Sequence, residues 1–238
     1  MIRVSHLFKA FNGQEVLKDI NLEINDGEIL VVLGQSGSGK SVLLRHLIGL
    51  MKPDQGRIEI NGDLITELPE KELLKVRKKI GYLFQDGALY DFMSVFENIA
   101  FPLREHTKLD GVAIKKKITG VLKMIGLEGV EDKYPSELSG GMRKRVALAR
   151  AIILDSKTLF CDEPTSGLDP IRSRDISDLI RDVSRQFQCT TVVASHDIDN
   201  SFRIADRLIL INEGKIVIAG SPEQLRASKD NFVQEFIR

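Results

Sequence analysis

Glu28-Ile29-Leu30-Val31-Val32-Leu33 runs directly into Gly34-Gln35-Ser36-Gly37-Ser38-Gly39-Lys40-Ser41, and Val42-Leu43-Leu44-Arg45-His46-Leu47-Ile48 follows. The first run is apolar on both faces, the pattern of a central parallel strand. The second fits G-x-x-x-x-G-K-[ST] in full. The third has apolar residues three and four apart, as a helix requires. Strand, glycine loop and helix in that order predict the first half of a βαβ unit. Glycine lets the loop curl until successive N–H groups from Gly34 through Gly39 converge on phosphate oxygens. The helix opening at Lys40, Ser41 and Val42 adds its unpaired amides and positive dipole end. Lys40 reaches the outer phosphates and the Ser41 hydroxyl suits Mg²⁺. This loop alone does not choose between kinases, GTPases and the various ATPases.

Other stretches extend the same plan. Thr158-Leu159-Phe160-Cys161 is a second buried strand, ending in Asp162 and Glu163. Asp162, at the carboxyl end, suits Mg²⁺ from its second coordination shell, and Glu163 is placed to orient or deprotonate an attacking water. Thr190 to Ala194 is a third buried strand, and Ile176, Leu179, Ile180, Val183 and Phe187 mark one helix face before it. Leu208–Ile211 and Ile216–Ile218 form short strands joined by a turn at Asn212-Glu213-Gly214. Near the N-terminus, Ile2-Arg3-Val4 and the alternation Ile20, Leu22, Ile24 predict half-buried strands. The tail from Ser221-Pro222 predicts one or two short helices. Residues 86–156 carry helical patterns and no convincing strand, so they read as a helical insertion, within which Pro102 is expected to break or start a helix. Leu138-Ser139-Gly140-Gly141-Met142 opens one of its helices, making a second anion-binding helix end more than 90 residues from the first.

Composition narrows the functional classes. The 34 basic and 34 acidic side chains cancel, excluding a globally basic nucleic-acid binder and an acidic disordered tail. The longest apolar run, Ile29–Leu33, falls far short of the roughly 18 residues of a bilayer span. The first residues carry no apolar h-region, so the expectation is a soluble cytoplasmic protein. Cys161 and Cys189 are not spaced as a metal pair and read as buried reduced thiols.

Two phosphate-binding helix ends on one chain, with Asp162-Glu163 ending a buried strand, resemble the nucleotide-binding subunit of an ABC transporter. Leu138–Met142 is similar to that family's LSGGQ signature, with Met142 in place of the usual Gln. The resemblance implies further roles. Gln85, after the strand-like Ile80–Phe84, matches the glutamine that contacts Mg²⁺ and water and senses the permease. Ser166-Gly167-Leu168-Asp169 matches the D-loop, His196 the switch histidine at the γ-phosphate, and Phe11 the aromatic that stacks on adenine. The implied fold is α/β, a P-loop NTPase of the ABC ATPase type with a mainly helical insertion and an antiparallel β part near the N-terminus. It implies one ATP-binding domain over 1–238, with 1–85 and 157–238 as α/β core and 86–156 as helical subdomain. ATP and Mg²⁺ are the implied cofactors, with Glu163 and His196 catalytic and Ser41, Gln85 and Asp162 at the metal. A head-to-tail homodimer would grip each ATP between Lys40 of one copy and Ser139, Gly140 and Gly141 of the other.

Residues 85–107 and the Met-ending signature further resemble the ATPase of Mce/Mla-type phospholipid transporters. That implies an integral permease, an Mce-domain lipid-binding protein and a place on the cytoplasmic face of the inner membrane. Transport of another substrate, or a non-transport role in cell division or assembly, are the alternatives. The chain contains no Asn-Lys-x-Asp segment with which a GTPase would read guanine.

Overall fold

The computed structural model describes all residues from Met1 to Arg238. In chain order the elements are β1 (Ile2–Phe11), β2 (Gln14–Ile24), β3 (Ile29–Leu33), α1 (Lys40–Leu47), β4 (Gln55–Ile60), β5 (Asp63–Leu64), α2 (Glu70–Arg77) and β6 (Ile80–Leu83). There follow α3 (Val95–His106), α4 (Gly111–Met124), α5 (Gly140–Ile152), β7 (Thr158–Asp162), α6 (Pro170–Phe187) and β8 (Thr190–Ser195). The chain finishes with α7 (Ile198–Ile204), β9 (Arg207–Asn212), β10 (Lys215–Gly220), α8 (Pro222–Arg226) and α9 (Asn231–Phe236).

Two sheets form. The larger has the order β10-β9-β3-β8-β7-β6, parallel except for the antiparallel edge strand β10. The smaller, β2-β1-β4-β5, is antiparallel. Side-chain alternation divides the core between the two faces of the larger sheet. Ile29, Val31, Leu33, Leu159, Cys161 and Val193 face α3 to α6. Leu30, Val32, Phe160, Val192 and Ala194 face α1 and the antiparallel sheet. Strands covered on both sides are predominantly apolar, and every residue of β3, β7 and β8 is buried.

The parallel register sets the ends of four strands level. Leu33 pairs with Ser195, Asp162 with Ala194, and Leu83 with Cys161. Gly34, Glu163 and His196, which follow directly, and Gln85, one residue further on, therefore leave the sheet together at its carboxyl edge, where α/β folds bind ligands.

Residues 86–156 hold α3, α4 and α5 and no strand. Pro102 lies inside a continuous α3, contrary to the expected break. The helix tolerates it because its start is secured by a reciprocal Ser94–Glu97 capping box and its inner face is buried through Val95, Ile99 and Leu103. Asn98 sits four residues earlier, fully buried, with its side chain bonded to Tyr90, Met93 and Ser94. Both cysteines are free and buried.

Candidate active site

A cavity of about 610 Å³ opens at the carboxyl edge, walled by the glycine loop, Lys40, Ser41, Gln85, Glu163 and His196. The loop takes its shape from two glycines with left-handed backbones, Gly37 (φ 81°) and Gly39 (φ 103°), a region closed to most side chains. Gly39 caps α1, whose first amide with a backbone partner is that of Leu43. The amides of Lys40, Ser41 and Val42 thus point out of the helix end. Gly34 leaves no room for a side chain, since a Cβ there would stand 2.6 Å from the Ile211 carbonyl oxygen.

Lys40 is 95% buried and extends back over the loop. Its Nζ donates to the carbonyls of Gly34 (2.8 Å) and Gln35 (3.0 Å) and lies 3.1 Å from Glu163 Oε1. The other carboxylate oxygen, Oε2, is 2.7 Å from His196 Nδ1. Glu163 reaches both neighbours because its backbone is left-handed (φ 47°) while its amide still bonds the Ala194 carbonyl at 2.9 Å. Such a backbone is uncommon for glutamate and persists only where surrounding contacts impose it. Here β8 holds the amide and two side chains hold the carboxylate.

One residue earlier, Asp162 accepts from Ser41 Oγ at 2.6 Å through Oδ1 and from the Tyr82 hydroxyl at 3.3 Å through Oδ2. Ser41 and Asp162 set two hard oxygen donors side by side, which fits Mg²⁺. No group of three or more acidic, His or Cys side chains is present to make an all-protein cage, so phosphate oxygens and water would complete the shell. Gln85 points to the same cavity, its amide nitrogen 3.5 Å from Ser166 Oγ.

The Gln85 carbonyl accepts from Lys144 of α5, tying the insertion to the strand end. Burial pushes the Lys144 ammonium below the usual lysine range, against the pull of Asp86, Glu163 and Asp162.

Other residues singled out in the sequence lie elsewhere. Ser139 caps α5, accepting from the Met142 amide at 3.4 Å, and with Gly141 and Met142 lines a separate cavity of about 210 Å³. Gly140 opens α5 beside Leu168. Asp169 caps α6 and pairs with Arg172 at 3.3 Å. Phe11 is exposed at the end of β1, with Lys9 Nζ 5.4 Å from its ring centre, and does not line the phosphate cavity. Val42 packs against the core. The reading of the residues missed Tyr82 at Asp162 and Phe236 in the cavity wall. Phe236 gives no local signal, being some 200 residues from the loop. Tyr82 could have been found from its alternation with Phe160 and Asp162 on neighbouring strands.

A second groove of about 520 Å³ runs between β6 and the insertion, lined by Tyr82, Phe84, Tyr90, Phe101, Pro102 and Arg150. Arg150 shapes one wall, donating to the Gly87 and Ala88 carbonyls at 2.9 Å each.

A glycine loop, a buried lysine, a metal-competent Ser–Asp pair and a carboxylate–histidine pair define a P-loop nucleotide-hydrolysing domain. The comparisons agree. The ABC transporter family model matches residues 17–166, and the chain belongs to that family as an ATP-binding, ATP-hydrolysing subunit. It is 43% identical, over 99% of its length, to the probable ribonucleotide transport ATP-binding protein mkl of Mycobacterium leprae, of which it spans 68%. It is 40% identical over its whole length to the intermembrane phospholipid transport system ATP-binding protein MlaF of Haemophilus influenzae, spanning 90% of it. Among solved structures, the ATP-binding cassette MJ0796, a dimer bound to ADP and Pi in a post-hydrolysis state, superposes with a TM-score of 0.86 at 31% identity, covering 93% of this chain and 99% of that one.

Proposed function

We propose that the chain energises phospholipid transport between membranes, working as a pair of copies on the cytoplasmic side of a membrane permease. The observation that carries the catalytic part is the Lys40–Glu163–His196 cluster facing the phosphate loop. ATP seats its phosphates on the loop amides and Lys40, and the γ-phosphate replaces Glu163 as the lysine's counter-charge. Glu163 then takes a proton from the water that attacks the γ-phosphorus, and the bond to the ADP oxygen breaks. His196 holds the carboxylate and faces the departing phosphate. Ser41, Asp162 and Gln85 would hold Mg²⁺, which supplies charge neutralisation on the phosphates.

Three further assignments belong to this proposal. Ser139, Gly140, Gly141 and Asp169 act on ATP held by the partner copy, a reading supported by their separation from Lys40 and by the dimeric MJ0796 cassette. Phe11 stacks on adenine. The 86–156 insertion works as a subdomain whose aromatic groove receives a permease segment, supported by the exposed Phe84, Tyr90 and Phe92 around it. No helix is long and apolar enough to cross a membrane. The phospholipid assignment, with an Mce-domain protein as third component, is supported by the likeness to MlaF.

Purification of the native assembly is the test. A multipass permease, an Mce-domain protein and bound phospholipid are the expected companions. A polar-solute or ribonucleotide-binding protein in their place overturns the lipid assignment. Persistence of a monomer when Glu163→Gln is saturated with ATP overturns the paired-copy reading.

A further inference from the structure

Tyr82 lies on β6, paired in the parallel ladder with Phe160 of β7. With a two-residue period, Phe160 and Asp162 share one face of the sheet, and Tyr82 packs into the cluster on that same face. Its hydroxyl ends 3.3 Å from Asp162 Oδ2, while Ser41 holds Oδ1. The phenol is a donor here. Asp162 is 96% buried, so its second oxygen has little access to water.

We propose that Tyr82 is a positioning residue for the metal-holding carboxylate, fixing the plane of Asp162 through Oδ2 while Oδ1 and Ser41 serve the cation. The Ser41 hydroxyl can donate to Oδ1 while its lone pairs face a metal, and Tyr82 holds the carboxylate's other oxygen. The same ring stacks obliquely on Phe84, 4.4 Å between centres, and both rings line the groove beside the insertion. A segment seated in that groove touches the side chain whose far end orients Asp162.

The inference rests on the reading of Asp162 as a metal residue, so the experiment carries a control for it. Mn²⁺ is titrated into the full chain saturated with ADP and followed by electron paramagnetic resonance, with metal-free ADP affinity measured in parallel. Tyr82→Phe keeps the ring and removes one hydrogen bond to a carboxylate, so Mn²⁺ affinity should fall about three- to tenfold. Metal-free ADP affinity should stay within about twofold of wild type, since the hydroxyl touches no phosphate-binding group. A thermal melt establishes that the variant is folded. Unchanged Mn²⁺ affinity, or an equal loss of metal-free ADP binding, overturns the role of Tyr82. Asp162→Asn separates the two readings. If it abolishes tight Mn²⁺ binding, a silent Tyr82→Phe sinks only the tyrosine's role, whereas a silent Asp162→Asn sinks both.

Discussion

Glu163→Gln tests the centre of the mechanism, and the structure sets both its chemical and its structural effect. Glutamine keeps the shape of the side chain. Its oxygen accepts from Lys40 at the position of Oε1, and its amide nitrogen donates to His196 Nδ1 at the position of Oε2. The negative charge and the basicity are what is lost. Removing a general base costs about 10²- to 10⁴-fold in rate. Lys40 loses its one carboxylate but keeps the Gly34 and Gln35 carbonyls, so the destabilisation should be about 1–2 kcal/mol, below the 3–5 kcal/mol of a buried pair broken outright. Single-turnover hydrolysis of radiolabelled ATP and urea denaturation read the two effects separately. Glu163→Ala, which deletes both the Lys40 ion pair and the His196 hydrogen bond, should hydrolyse as slowly and unfold at lower urea. Hydrolysis by Glu163→Gln at the wild-type rate refutes Glu163 as base. Equal urea midpoints for the Gln and Ala variants refute the hydrogen-bond accounting.

Three other outcomes follow from the same geometry. Gly34→Ala forces a Cβ to within 2.6 Å of the Ile211 carbonyl oxygen and 2.4 Å of Ser38 Oγ, so ATP binding, read by fluorescent-nucleotide displacement, should be lost. Asn98→Ala strips a fully buried amide from three loop carbonyls and the Tyr90 amide, so urea denaturation should show a loss of about 2–3 kcal/mol. His46 has its pKa lowered from 6.5 by burial, which favours the neutral ring in the folded chain. Below pH 6.5 the unfolded chain therefore takes up a proton that the folded one refuses, and stability falls with pH until the folded ring also protonates. The urea midpoint should drop between pH 7.5 and 5.5, and His46→Gln should flatten that drop.

What could be read from the residues was whatever is local. The phosphate loop, the apolar runs of β3, β7 and β8, and the carboxylates at the end of β7 each declare themselves within a dozen positions. The four site residues then fall together because parallel strands in register bring their ends level. Illegible stretches are those whose structure depends on remote partners. β4 buries only Ile58 and Ile60, and its Gly56 (φ 98°) crosses β1 where a Cβ would strike the His6 carbonyl at 2.3 Å. α2 is anchored by a single buried side chain, Leu73, too little to give a periodic signal. Pro102 misled because helix-breaking is a local rule, whereas α3 is secured by a cap and a buried face elsewhere along it. The left-handed backbone of Glu163 is imposed by β8 and leaves no mark in the residues around it.

Phosphate grip and signature serine open into different cavities of one chain. In the paired-copy reading this makes hydrolysis a bimolecular event. The specific rate of the free chain should climb with its own concentration, and a dilute chain should hold ATP without spending it. A permease that seats two copies raises their effective concentration to a level set by its geometry. Turnover is then confined to assembled transporters by mass action, and subunits made in excess cost the cell little ATP.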